Sequence, residues 1–485
     1  MRYVLPFLFA LSASPALAQT VDVSGAETLT ANFARYIGTT AFDKGVVKIT
    51  VKDDAYRLEV DFDKLLALFP AQEALKLEVD PYVLSLKPRP DGTWDVSGDV
   101  APDGKLEMKA EEGTHTAQWQ VADDKFSGVY DPALAGFSTA SGKFGALSST
   151  STDPTSSTEF TAASGSFDIQ STKNATRGVD FTALQTVSDM TQTMRVSAPE
   201  AGMDLPVVIR SPELSYSSGA TGFQSQQLLD LLAFGVANAE EAKLKAAQPE
   251  LKTLLRNALP LWDHLTGSYG WRELSVGTPI GIFSAANARI DVAMDGVRKD
   301  GSVAYKLQID ALKVPDDVLP GWTVPLLPED IDLNFAGTEL DLEGPATMAI
   351  DALDLNSDTP ISKEVGDMIM AQFMAEPPKL VINRSILRNK DTEISAEGAV
   401  TFVGAAPTLT ATVEAAGFDK AMQTIQDAMT TAPEAQQAYM VAVAAKGFAK
   451  TLSDGRLQWV IEMTPDGAVT VNGAMVKPAD QPAPQ

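Results

Sequence analysis

Apolar and polar residues alternate along most of this chain, and that period of two limits its fold more than any other feature. Val47, Ile49 and Val51 share one face of an extended segment. After Asp53-Asp54 the alternation resumes with Tyr56, Leu58, Val60 and Phe62, which predicts a hairpin. The pattern returns at Leu84/Leu86, Trp94/Val96, Leu106/Met108 and Ala117/Trp119/Val121. It returns again at Ile290/Val292/Met294, Val303/Tyr305/Leu307/Ile309, Ile331/Leu333/Phe335 and Leu409/Ala411/Val413. Six Asp-Gly pairs, beginning at Asp91, Asp103, Asp295, Asp300, Asp454 and Asp466, punctuate the strands. Glycine accepts the positive φ that tight hairpin turns need. One apolar and one polar face is the mark of antiparallel sheet with a wet side.

Three regions break the alternation with helical spacing. The first runs from Ser225 to Leu265, with Leu228, Leu231, Leu232 and Val236, then Leu251, Leu254, Leu255 and Ala258. Pro249 divides it and Pro260 ends it. The second starts near Thr359-Pro360 and carries Ile361, Val365, Met368 and Ile369. The third has Phe418, Ala421, Met422, Ile425 and Met429, restarts at Pro433 and continues to about Leu452. The predicted fold class is α+β: mainly antiparallel β-meander sheet, extended and curved, with amphipathic helices packed on one face.

The expected organisation is a signal peptide over 1–18, a β-rich region over 19–222 and a helical hairpin over 223–272. An α+β region over 273–476 and a disordered tail over 477–485 follow. The signal is read from Arg2, the apolar run Val4 to Leu11 and the Ala16-Leu17-Ala18 end, with cleavage after Ala18. That run is too short to span a bilayer, and no later segment reaches the length required, so no transmembrane segment is expected after cleavage. The expected address is periplasmic or secreted.

The chemistry excluded is broad. With 38 Lys+Arg against 64 Asp+Glu the net charge is −26, which repels nucleic-acid phosphates. The absence of cysteine removes disulfides, thiol nucleophiles and lipidation after the signal. No nucleophile elbow, phosphate-binding loop, dinucleotide fingerprint or zinc-protease motif is present, so neither catalytic residues nor a cofactor is expected. Of the two histidines, His115 lies on a strand face with Trp119, and His264 is placed near a helix end; both read as structural. Asp354-Leu355-Asn356-Ser357-Asp358 looks like a calcium loop, but Thr359 replaces the turn glycine and Glu364 falls one position early. It reads as a polar turn capping the helix at Pro360, and no metal site is assigned.

The candidate contact residues are apolar. Residues 315–328 hold four prolines, yet Val318, Leu319, Trp322, Val324, Leu326 and Leu327 are hydrophobic. Such a loop either packs onto a core or offers a surface to a lipid or protein partner. Trp262, Tyr269 and Trp271 make an aromatic cluster read the same way. Residues 138–176 contain 18 Ser or Thr in 39 positions, interleaved with Phe144, Phe160, Phe167 and Ile169. They read as strands with a hydroxyl-bearing wet face, or as an adhesive, glycan-contacting stretch.

The chain resembles an alphaproteobacterial family known only as domain of unknown function 2125. The resemblance rests on the signal peptide, on Phe126-Ser127-Gly128-Val129-Tyr130-Asp131-Pro132, and on Asp454-Gly455-Arg456-Leu457-Gln458-Trp459. It continues through Gly467 and Val471-Asn472-Gly473. More distantly, strand blocks followed by amphipathic helices are similar to envelope proteins of the AsmA and YdgA type. That similarity implies long curved sheets, some of which handle lipids, usually anchored at the N-terminus.

The resulting expectation is a non-enzymatic envelope protein that binds lipid or another apolar ligand between sheet and helices, with lipids or envelope proteins as partners. Two alternatives are a scaffold or adhesive protein acting through 138–176, and a carboxylate-based glycan hydrolase with no assignable residue pair.

Overall fold

The computed structural model describes residues 21–68, 75–98, 103–110, 113–198, 203–316, 318–404 and 406–480. The expected signal peptide with its cleavage point, and 481–485 of the expected tail, lie outside the described residues. The fold is α+β, built on antiparallel strands with amphipathic helices. The chain divides into two units, one of 1–267 with 350–362 and the other of 268–349 with 363–485.

The described part of the first unit opens with helices α1 (Val23–Ile37) and α2 (Thr40–Asp43), inside the region expected to be β-rich. Ala26, Leu29, Phe33 and Tyr36 recur at helical spacing and are all buried. The Asp22 carboxylate caps the N-terminus by accepting the Gly25 N–H at 2.8 Å. Strands β1 (Val47–Lys52) and β2 (Ala55–Val60) form the expected hairpin. Phe62 leaves the strand and starts α3 (Phe62–Leu66), because Asp61 caps the Lys64 N–H. Then come β3 (Leu75–Val79), β4 (Tyr82–Pro88), β5 (Trp94–Gly98), β6 (Gly104–Ala110), β7 (Gly113–Val121) and β8 (Lys125–Asp131). They are followed by β9 (Gly136–Phe144), β10 (Leu147–Thr152), β11 (Ser156–Ala162) and β12 (Ser164–Lys173). The long β13 (Val179–Ala198) and β14 (Met203–Phe223) complete the series.

Beside β13, three successive lines of strands are interrupted. β11 and β12 run against successive halves of β13, at 191–196 and 179–188, with Ala163 between them. β10 and β9 in turn pair with β11 and β12, separated by Gly145 and Ala146. β7 and β8 continue the series, separated by 122–124. Along this line Asp123 and Asp189 hold φ of 51° and 50°, a left-handed conformation unusual outside glycine. The line separates two arms. One, through β12, β9, β8, β5, β4, β2 and β1, carries the core: Tyr56, Leu58, Leu84, Leu86, Val96 and Tyr130 pack under Phe33 of α1 and Leu229 of the helix that follows β14. The other, through β11, β10, β7, β6 and β3, carries much of the Ser/Thr-rich stretch.

The region read as a helical hairpin holds three helices, α4 (Ser225–Ala237), α5 (Glu241–Ala246) and α6 (Gln248–Ala258). Pro249 sits in the first turn of α6. A strand, β15 (His264–Thr278), begins soon after, so His264 opens a strand and is not at a helix end.

In the second unit β16 (Gly281–Asp295), β17 (Gly301–Asp310) and β18 (Asp330–Leu340) form a meander. Helix α7 (Glu343–Ala352) follows and runs into the 350–362 segment of the first unit, and α8 (Lys363–Ala375) is again in the second. The expected helix start at Pro360 is displaced to Lys363 because the Pro360 carbonyl accepts the Asp354 N–H at 2.8 Å, which closes a polar turn. The meander resumes with β19 (Lys379–Arg388), β20 (Glu393–Val403) and β21 (Ala406–Ala416). Helices α9 (Phe418–Ala428) and α10 (Pro433–Phe448) lead to β22 (Lys450–Thr451), β23 (Leu457–Met463), β24 (Val469–Val471) and β25 (Ala474–Lys477). The start of the expected tail is tied down: the Asp480 N–H donates to the Asp466 carbonyl at 2.9 Å.

Of the six Asp-Gly pairs, Gly92, Gly455 and Gly467 supply positive φ at turns. Gly104 and Gly301 instead open strands β6 and β17.

Candidate functional site

Register shows what the second unit presents. Residues directly opposite across antiparallel strands share a face. One row crosses eight strands as Val292, Tyr305, Phe335, Ile382, Gly398, Ala411, Ile461 and Val471. A second runs Met294, Val303, Gly337, Leu380, Val400, Leu409, Met463 and Val469. A third runs Ala288, Ile309, Ile331, Leu387, Ile394, Ala415 and Leu457. No charged side chain interrupts the three rows. The row on the opposite face reads Arg289, Gln308, Asp332, Ile386, Ser395, Glu414 and Gln458; it is mainly polar and half-buried, and ion-paired by Lys306–Asp332 and Arg456–Glu414.

Among the described residues, helices α9 and α10 cover one end of the apolar face. Phe418 of α9 meets Trp459 of β23 with ring centroids 5.6 Å apart. The Trp459 indole N–H donates to the Ala445 carbonyl of α10 at 2.7 Å. Between β17 and β20 the face is open: Tyr305 and Phe335 are each 41% exposed, Leu380 51% and Ile394 42%. At Gly337 an added Cβ would meet nothing within 4 Å, so the glycine leaves a trough in the strip. Met368 and Met370 of α8 are also exposed.

The contact residues chosen from sequence fall elsewhere. Trp322, like Ile425 and Met429, packs on the cluster of Ala428, Ala432 and Ala435, and its indole N–H donates to the Glu434 carboxylate at 3.4 Å. Leu319 and Val324 are exposed, whereas Leu326 and Leu327 are half-buried. The Asn389 amide holds the loop by donating to the carbonyls of Pro325 and Leu327. Trp271 is half-buried and stacks on Tyr269 at 6.4 Å in the second unit. Trp262 belongs to the first unit, where its buried indole N–H has no partner among the described residues. Five of the seven candidates thus share one loop of the second unit, Trp271 lies on β15 of that unit, and Trp262 belongs to the first. Tyr305 and Phe335 were recognised from sequence as strand residues; nothing local marked their face as open.

The first unit has a polar cleft of about 530 Å³ between α3 and strands β3, β6, β7 and β10. Asp63, Glu78, Asp80 and Asp103 contribute carboxylates, and Lys105 an ammonium. Asp103 also fixes the cleft wall by accepting the Val121 N–H at 3.0 Å. On neighbouring β4, burial and the charge of Asp124 push the Tyr82 phenol up to about 12. Burial also raises the Asp124 carboxyl above its ordinary range.

No protein-family profile, no curated protein and no solved structure matches the chain.

Proposed function

We propose that the protein is a non-enzymatic, exported envelope protein that holds the acyl chain of a lipid on the open apolar face of its second unit. One observation carries the reading: three cross-strand rows without a charged side chain, left uncovered between β17 and β20. Exposed contiguous apolar surface of this kind marks interaction sites. An acyl chain has no hydrogen-bonding groups, so it loses nothing against such a strip, whereas a polar ligand would strand its own donors and acceptors. The three strand spacings from β17 to β20, each about 4.8 Å, open about 14 Å of the strip, room for a large part of an acyl chain. Export is supported by the leader pattern of residues 1–18.

The test is uptake of a fluorescent fatty acid, cis-parinaric acid, by the purified chain, with organic extraction and mass spectrometry of protein taken from its native compartment. Saturable uptake, weakened about tenfold or more by Phe335→Asp, is the expected result. Protein that extracts empty and takes up no probe would sink the reading.

A further inference from the structure

The Ser/Thr-rich stretch contributes the Ser148 and Thr150 side chains to the polar cleft of the first unit, a role the acyl-chain reading does not use. We propose that this cleft binds a short amino-sugar oligosaccharide.

Register fixes which side chains share its face. Glu78 lies opposite Lys105, Lys105 opposite Gln118, and Gln118 opposite Thr150. Gln120 lies opposite Ser148 in the next row of the same face. Trp119, between the two glutamines, alternates to the other side, where it lies opposite Gly104 and Ser149. The face is therefore an array of two amides, two hydroxyls, an ammonium and a carboxylate. None of these six side chains has a hydrogen-bond or ion-pair partner among the described residues.

The ligand class follows from that array. Amides and hydroxyls both donate and accept, as sugar hydroxyls do. An acyl chain placed here would desolvate six polar groups without return. Four carboxylates line the cleft against one ammonium, which disfavours phosphate and uronate and favours a ligand bearing amino groups. No three acidic or histidine side chains among the described residues come together to hold a metal ion, so a cation alone does not explain the arrangement. A volume of about 530 Å³ lies within the usual span of ligand sites.

The experiment is calorimetric titration of the full chain with a β-linked glucosamine trimer, its N-acetylated form and a galacturonate trimer. The glucosamine trimer should bind most tightly, the N-acetylated trimer more weakly and the galacturonate trimer undetectably. Gln118→Ala combined with Gln120→Ala should weaken both amino-sugar trimers about tenfold without moving the melting temperature. Glu78→Gln should weaken the glucosamine trimer and spare the N-acetylated one. Failure of both amino-sugar trimers to bind, or galacturonate binding as tightly as glucosamine, overturns the proposal. So does wild-type affinity in the double variant. Fatty-acid uptake is read separately on the second unit, so either reading can fail alone.

Discussion

The indole of Trp119 lies against Gly104, its partner across β7 and β6: a Cβ built on Gly104 would fall 2.2, 2.6 and 2.8 Å from three indole atoms. Phe144 covers Gly165 and Phe167 covers Gly142 in the same manner across β9 and β12. A glycine in a strand weakens it, and a neighbouring ring laid over the gap recovers part of the lost burial.

Gly104→Ala and Gly142→Ala should therefore each destabilise the protein by about 1–3 kcal/mol, because the ring must be displaced. Urea denaturation measures this. Unchanged midpoints would mean that these rings are not seated on the glycines.

The two units should respond differently to the same truncation. Phe33 is 1% exposed in the core beneath α1, so Phe33→Ala should cost about 3–5 kcal/mol. Phe335 is 41% exposed, so Phe335→Ala should cost about 1 kcal/mol or less while lowering fatty-acid uptake. Equal losses of stability would show that the second face is covered in solution.

Gly337 gives a gain-of-bulk version of that test. Gly337→Leu fills the trough where no atom lies within 4 Å of an added Cβ. Its melting temperature should stay near wild type and its uptake of cis-parinaric acid should fall.

Alkaline stability should depend on Tyr82. Its phenol ionises near 10.0 when unfolded and is pushed up to about 12 in the fold, chiefly by burial and then by Asp124. The folded state thus holds the proton more tightly, and the contribution is complete below pH 10. It is lost as pH rises through about 12, a change on the order of 2–3 kcal/mol. Tyr82→Phe should remove that slope from denaturation curves collected across the window. An unaltered slope would assign the alkaline loss to other groups.

Acid should act through Asp330. The Ala311 N–H, at 3.1 Å from the carboxylate, and then Arg388 hold its carboxyl below 3.8. A depressed carboxyl stabilises above its unfolded value and loses that contribution as pH falls through the folded one. Asp330→Asn should be less stable at neutral pH and should lack this component of the loss below pH 3.8. Thermal melts from neutral to acidic pH report both.

Much of the fold was legible because alternation is local. The hairpin at Asp53-Asp54 and the strands carrying Tyr305 and Phe335 follow from it directly, and Phe418 to Met429 declares a helix by spacing. Helix α1 was missed because Ser24, Gly25, Thr28 and Thr30 in its first half favour a helix weakly and blur the stripe of its four buried residues. The interruptions at Ala163, Gly145 and Asp123 depend on pairing with distant β13, which no local pattern encodes. Of the candidate site, the apolar character of residues 315–328 was visible, but Trp322 is engaged by the alanines of α9 and α10. Whether a sheet face is covered is decided by elements far away in sequence, so the open strip could not be read from the strands that form it.

A sheet that keeps Tyr305, Phe335 and Leu380 in contact with water must also avoid sticking to other copies of itself. The charge of −26 answers this at long range, since two such molecules repel before their apolar strips can meet. Ions in the medium shorten that repulsion to about 10 Å at 0.1 M, so the ligand-free protein should stay dispersed in dilute buffer and self-associate as salt is added. The surplus of Asp and Glu on the wet faces is in this sense what lets the dry face stay open.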